Sequence, residues 1–167
     1  MNLQGVEGRE RRARNLAAAV VAVCVAMTMF FAASASAATL GVSTSGTDSG
    51  NCTSSDCLTI TYAIGQAAAS GDTINVADGA YPEVVFVNKD VTITGESRTG
   101  TILQASGSAY SMVLEEDGIT VENLTIDGED PSNPGQILSS YGIVAVSGTS
   151  GALVQGVTVR NVGQTGV

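Results

Sequence analysis

The 167-residue chain sets 16 Asp and Glu against 7 Lys and Arg, has a formal net charge of −9, and contains no His and no Trp. So few basic groups cannot neutralise a phosphate backbone, which excludes nucleic acid as a partner. Without His, a Cys/His zinc site cannot be completed. The length suits one domain with a real core and is too short for two large ones.

Residues 1–37 read as an export signal with its three parts in order. Arg9, Arg11, Arg12 and Arg14 form a basic leader, 16–33 is apolar and rich in Ala and Val, and Ala35-Ser36-Ala37 supplies the small residues of a cleavage site. A retained anchor is the alternative, since the run approaches the ~20 residues that span a bilayer. Arg11-Arg12 hints at twin-arginine export, but its surroundings fit that route poorly and general secretion is favoured. Cleavage after Ala37 leaves 130 residues with a formal charge of −11 and no transmembrane segment. The expected location is secreted or cell-surface. An anionic polysaccharide is disfavoured by that field unless a metal ion intervenes.

Residues 38–57 form a polar segment holding Cys52 and Cys57, and Cys24 falls in the leader. In an exported chain this pair is expected to oxidise to a small structural disulfide. A metal or redox pair is the alternative, but C-x-x-C spacing is absent. A bridge over so short a loop contributes on the order of 2 kcal/mol.

Over 58–70 the residues Leu58, Tyr62, Ala63, Ile64 and Ala67 recur at helical spacing, with Thr59 or Thr61 as N-cap, which predicts one short amphipathic helix. Gly71-Asp72 stops it. Thereafter come short β-branched runs divided by Gly, Asn, Asp and Ser: TINV at Thr73, VVFV at Val84, VTIT at Val91, TILQ at Thr101, SMVL at Ser111, ITVENLTI at Ile119, GIVAV at Gly142 and ALVQGVTV at Ala152. Most junctions lack the Asn-Gly turns that hairpins need. Repetition describes them better. ITVENLTIDG matches ALVQGVTVRN, setting Val121 over Val154, Asn123 over Gly156 and Ile126 over Val159, and Gly142-Ile143 recurs as Gly166-Val167. A period in the low twenties is one coil of a β-solenoid.

Over 39–167 the pattern resembles the right-handed parallel β-helix proteins of the pectate-lyase-like superfamily. The likeness is carried by a Cys-containing loop ending at Cys57, a short helix and strand closing on Gly79 and Tyr81, and then VTITGE and TILQA as the next coil. It implies a single-stranded parallel β-helix over 58–167, with the 58–70 helix capping the first coil's unpaired backbone and open apolar core. No equivalent cap follows NVGQTGV, so the solenoid is expected to be cut short at its C-terminal end. The family hosts many activities, so the resemblance says little about function.

Its lyases use Ca²⁺-binding acids with a basic Arg or Lys, and its hydrolases use grouped Asp with His, Arg and Lys. The hydrolase set fails for want of His. Arg160, just after a strand, is the one candidate for a catalytic base or substrate clamp. The acidic turns Glu115, Glu116, Asp117 and Asp127, Glu129, Asp130 are candidate calcium ligands, although their spacing is not that of an EF-hand. Calcium is the one cofactor these acids suggest, and the leading expectation is none. Tyr110 and Tyr141 are candidate sugar-stacking residues. The leading expectation is a non-catalytic β-helix scaffold that binds a polysaccharide or cell-surface component. The alternative is the leading part of a polysaccharide lyase or glycoside hydrolase.

Overall fold

A computed structural model describes residues 36–68, 70–104, 106–164 and 167. The basic leader, its apolar run and the Gly166 repeat position lie outside them. Among the described residues, no helix is long and apolar enough to cross a membrane.

Among the described residues there are twelve strands and one helix: β1 (Thr39–Val42), α1 (Ile60–Gln66), β2 (Ser70–Val76), β3 (Gly79–Pro82), β4 (Val85–Val87), β5 (Asp90–Gly95), β6 (Thr101–Gln104), β7 (Tyr110–Leu114), β8 (Thr120–Glu122), β9 (Thr125–Asp127), β10 (Tyr141–Ala145), β11 (Leu153–Gln155) and β12 (Thr158–Arg160). From β2 onward each strand pairs in parallel with the strand three places later. The chain thus winds round three sheets in turn: β1-β2-β5-β8-β11, β3-β6-β9-β12 and β4-β7-β10. That is a parallel β-helix.

Alternation along each strand sends one residue set inward, and parallel register stacks that set coil upon coil. Leu40, Ile74, Ile93 and Val121 form one such ladder, all buried, and Val154 continues it half-buried. Tyr81, Leu103 and Ile126 form a second and Val85, Met112 and Ile143 a third. Each aliphatic side chain so buried contributes about 1.5–3 kcal/mol. The repeat alignment holds in register: Val121 pairs with Val154 and Ile126 with Val159.

The period does not stay in the low twenties. It holds from Tyr81 to Leu103 to Ile126, but Val121 to Val154 takes a longer excursion because the chain loops out between β9 and β10 and between β10 and β11. ITVENLTI is also two strands, not one. Asn123 between them has φ 56°, and Gly156 at the same corner one coil on has φ 61°. Asn tolerates this left-handed turn better than most residues. Its side chain is exposed at that outer corner. The carbonyl of Asn123 lies against Gly95, and that of Asn161 against Gly128, where any Cβ would collide. Left-handed residues therefore stack on glycines.

The helix is shorter than 58–70, and Leu58 lies outside it, 43% exposed. Its buried face is Ile60, Ala63 and Ile64, packed toward β1, β2 and β4 over the first coil. Thr59 is the N-cap, its hydroxyl accepting from Tyr62 N–H at 3.1 Å. Two distant carboxylates complete that end. Glu83 accepts from Ile60 N–H at 2.8 Å and Thr61 N–H at 2.9 Å, and Asp48 accepts from Leu58 and Thr59 N–H. At the other end Lys89 Nζ donates to the Gly65 and Ala67 carbonyls. Buried Asp72 joins α1 to β1, accepting from Ala68 N–H at 2.6 Å and Ala38 N–H at 2.7 Å.

Two strands were not expected. β1 lies within a stretch that reads as polar loop, and β3 within one that reads as a turn, GAYP. β3 is the edge of its sheet, where proline's missing N–H costs no ladder bond. Tyr81 is consequently an inward core residue whose hydroxyl donates to the Ala77 carbonyl at 2.8 Å.

Candidate functional site

The outward face of the first sheet carries two columns in register. One is Thr39, Thr73, Thr92 and Thr120, then Leu153. The other is Gly41, Asn75, Thr94, Glu122 and Gln155. Successive members lie one strand apart, about 4.7–4.9 Å. The face is therefore a flat array of methyls, hydroxyls and amides.

Over its leading half lies an open groove of about 550 Å³. Gly41, Asn75 and Thr94 line its floor, and Glu96 and Asn123 its corner wall. The end wall is Asp56, whose carboxylate lies directly over Gly41, in the space a Cβ would take. Asp56 is held there by the disulfide loop: Cys52 and Cys57 are bonded, Gly41 N–H donates to the Cys52 carbonyl, and Cys57 N–H donates to the Gly41 carbonyl. The expected disulfide is thus present. It shapes one end of the groove.

Glu122 borders the floor. Thr94 Oγ1 donates to one of its carboxylate oxygens and Gln155 Nε2 to the other at 2.6 Å. These hydrogen bonds, Thr94's first, hold its carboxyl below the usual range, so it is firmly ionised. Each oxygen keeps a lone pair for a ligand hydroxyl. Glu96 is oriented by Asp78 N–H at 3.0 Å.

The residues singled out by sequence go elsewhere. Arg160, on β12 of the second sheet, is engaged with Asp127: its Nε and Nη2 both reach Asp127 Oδ2 at 2.9 Å. Asn161 Nδ2 bridges Asp127 at 2.9 Å and Glu129 at 3.1 Å. Asp127 is nearly buried while Arg160 is half exposed, so the arginine serves here first as the carboxylate's partner. Asp130 caps its own loop through Ser132 N–H and Asn133 Nδ2, and the Asn133 amide leads in lowering its carboxyl. Glu115, Glu116 and Asp117 occupy an exposed turn after β7, at a different corner, where Asp117 accepts from Ser150 N–H at 2.6 Å. No three His, Cys, Asp or Glu side chains among the described residues are grouped to hold a metal ion. The two acidic turns therefore do not merge into one ligand set.

Tyr110 and Tyr141 do come together. Their rings stack at 5.6 Å with 25° between planes, and Tyr141 Oη donates to Gln164 at 3.0 Å. Stacking covers one face of each ring and leaves Tyr110 38% exposed.

The groove residues stand at outward positions, which the apolar periodicity of the strands does not mark. The signal was present in the T-x-N, T-x-T and T-x-E runs at Thr73, Thr92 and Thr120, whose polar members alternate with the core.

No protein-family model matches the sequence, and no curated protein matches it either. Solved structures do. A pectin methylesterase in complex with a hexasaccharide is similar at 18% identity with a TM-score of 0.54, covering 76% of this chain and 47% of that one. The pectin methylesterase PemA from Erwinia chrysanthemi is similar at 19% identity with a TM-score of 0.46, covering 73% and 47%. This chain spans about half the length of those structures, 47% of each. The first likeness is one of fold. The chain is a right-handed parallel β-helix.

Proposed function

We propose that this chain is an exported or surface-displayed β-helix scaffold that binds polysaccharide along the outward face of its first sheet. The observation that carries this reading is the groove itself, a flat polar floor of Asn75 and Thr94 walled by Asp56 and Glu96. Extended sugars present hydroxyls at regular intervals, and a parallel sheet presents side chains at regular intervals, so several rungs engage at once. The Thr92 and Thr94 methyls offer apolar surface to sugar C–H faces. The protein of the similar solved structure holds a hexasaccharide, and the leader at 1–37 would place this chain where polysaccharides are met.

A panel of plant, microbial and animal polysaccharides, pectin included, tests this by affinity electrophoresis and calorimetry with the full chain. Binding of at least one, weakened about tenfold by Asn75→Ala, is expected from loss of one or two hydrogen bonds. No binding by a folded chain, or binding indifferent to Asn75 and Thr94, overturns the assignment. A second reading, a carbohydrate-active enzyme, takes support from the Asp127–Arg160 pair beside Glu129. The same panel tests it through release of methanol, reducing ends or unsaturated ends.

A further inference from the structure

The groove has a one-sided charge that bears on the class of saccharide it takes. Asp56 closes its end, Glu96 stands at its corner and Glu122 borders its floor, while no Lys or Arg lines it. The three basic residues after the leader are Lys89, Arg98 and Arg160. Lys89 is tied to carbonyls at the end of α1, Arg160 is paired with Asp127 on another sheet, and Arg98, two residues beyond Glu96, is outside the groove's lining.

We infer that the groove takes uncharged saccharides and turns away acidic ones, an inference that rests on the polysaccharide-binding reading above. A neutral sugar brings hydroxyls that donate to carboxylates, and two adjacent hydroxyls fit the two oxygens of one carboxylate. The Asn75 and Gln155 amides supply the complementary donors. A uronate brings acceptors to face acceptors, and its charge enters a field already set by three fixed carboxylates and a formal −11 overall after the leader. Thr94 and Gln155 each hold one of the Glu122 oxygens and keep the carboxylate beside the floor. Selection is thus built from repulsion, not from an added contact.

The test uses the full chain with two ligands of the same linkage that differ at C6, a β-1,4-linked hexaglucose with its hydroxymethyl groups and the hexaglucuronate with carboxylates there, titrated calorimetrically at low and high salt, where the salt dependence isolates the charge. The neutral ligand is expected to bind at least about tenfold tighter at low salt, and the ratio is expected to shrink as salt screens the carboxylates. In a Glu96→Gln, Glu122→Gln double variant the ratio is expected to fall toward one. Equal or tighter binding of the uronate by the native chain, or a ratio indifferent to salt, overturns charge selection and leaves the groove reading standing. Failure of both hexasaccharides and of every polysaccharide in the broader panel overturns the two together. The salt series on the native chain decides the matter even where the double variant does not fold.

Discussion

At the leading end of the solenoid the inward residues Leu40, Ile74 and Ile93 are 1%, 0% and 0% exposed, whereas on the coil of β11 and β12 the inward Val154 and Val159 are only half-buried. The strands at both ends obey the same alternation and register. What differs is the neighbour. The first coil lies beneath α1, which is itself pinned by Asp48, Glu83, Asp72 and Lys89, while β10, β11 and β12 have a paired strand on one side among the described residues. Burial in a β-helix therefore belongs to position in the stack as much as to the residue, and stability is expected to grade along the axis.

The sharpest way to expose that grading is to delete the same kind of contact at both places. Ile93→Ala, with ladder partners above and below, is expected to cost about 3–4 kcal/mol, whereas Val154→Ala is expected to cost about 1 kcal/mol. Urea unfolding of the two variants measures the gap, and equal losses would mean that the stack behaves as one undivided core. Next in size is the helix anchor. Glu83→Ala leaves the Ile60 and Thr61 amides without their acceptor and is expected to cost about 2 kcal/mol, seen as loss of amide protection over 58–68 before the rest of the molecule opens.

A smaller effect follows from Tyr81. Burial first, then the carboxylates of Asp56, Asp78, Glu83 and Glu96, push its hydroxyl up from 10.0 to about 12. The folded state thus keeps a proton that the unfolded state surrenders from pH 10 upward, so stability falls as pH rises from 10 to about 12. After allowance for solvent screening the loss is on the order of 1–2 kcal/mol. Tyr81→Phe is expected to flatten that slope, and a melting series across the alkaline range reads it. Smallest is Arg160→Ala on the outer coil. Asp127 keeps its bonds from Asn161 and the Glu129 N–H, so about 0.5–1 kcal/mol is expected. A loss several times larger would show that the last coil depends on this pair.

Much of the fold was legible in the sequence because ladders leave a plain trace. Val121 over Val154 and Ile126 over Val159 are inward pairs in both readings. Thr59, the disulfide and the helix lying over the first coil were also legible, since capping and short-range chemistry act over a few residues. β1 and β3 were not. They hold only because β2 and β6 lie beside them, and no local propensity marks TLGV or GAYP as strand. The anchors Asp48, Glu83 and Asp72 act over 10 to 34 residues, beyond any local pattern. The groove was hidden for a related reason: Asp56 and Asn75 meet across the first sheet only once β1 has taken its place.

The corners of the coil carry a consequence for redesign. Between β8 and β9, and again between β11 and β12, the turn is two residues long and built on a left-handed position. Between β9 and β10 the chain instead runs from 128 to 140, and Glu129 and Ile137 bridge its base. One corner thus keeps the pitch of the winding while another can change length without disturbing the ladders. A foreign peptide spliced into 130–136 would project from the wall on a closed stem, and the number of its residues would be a free choice.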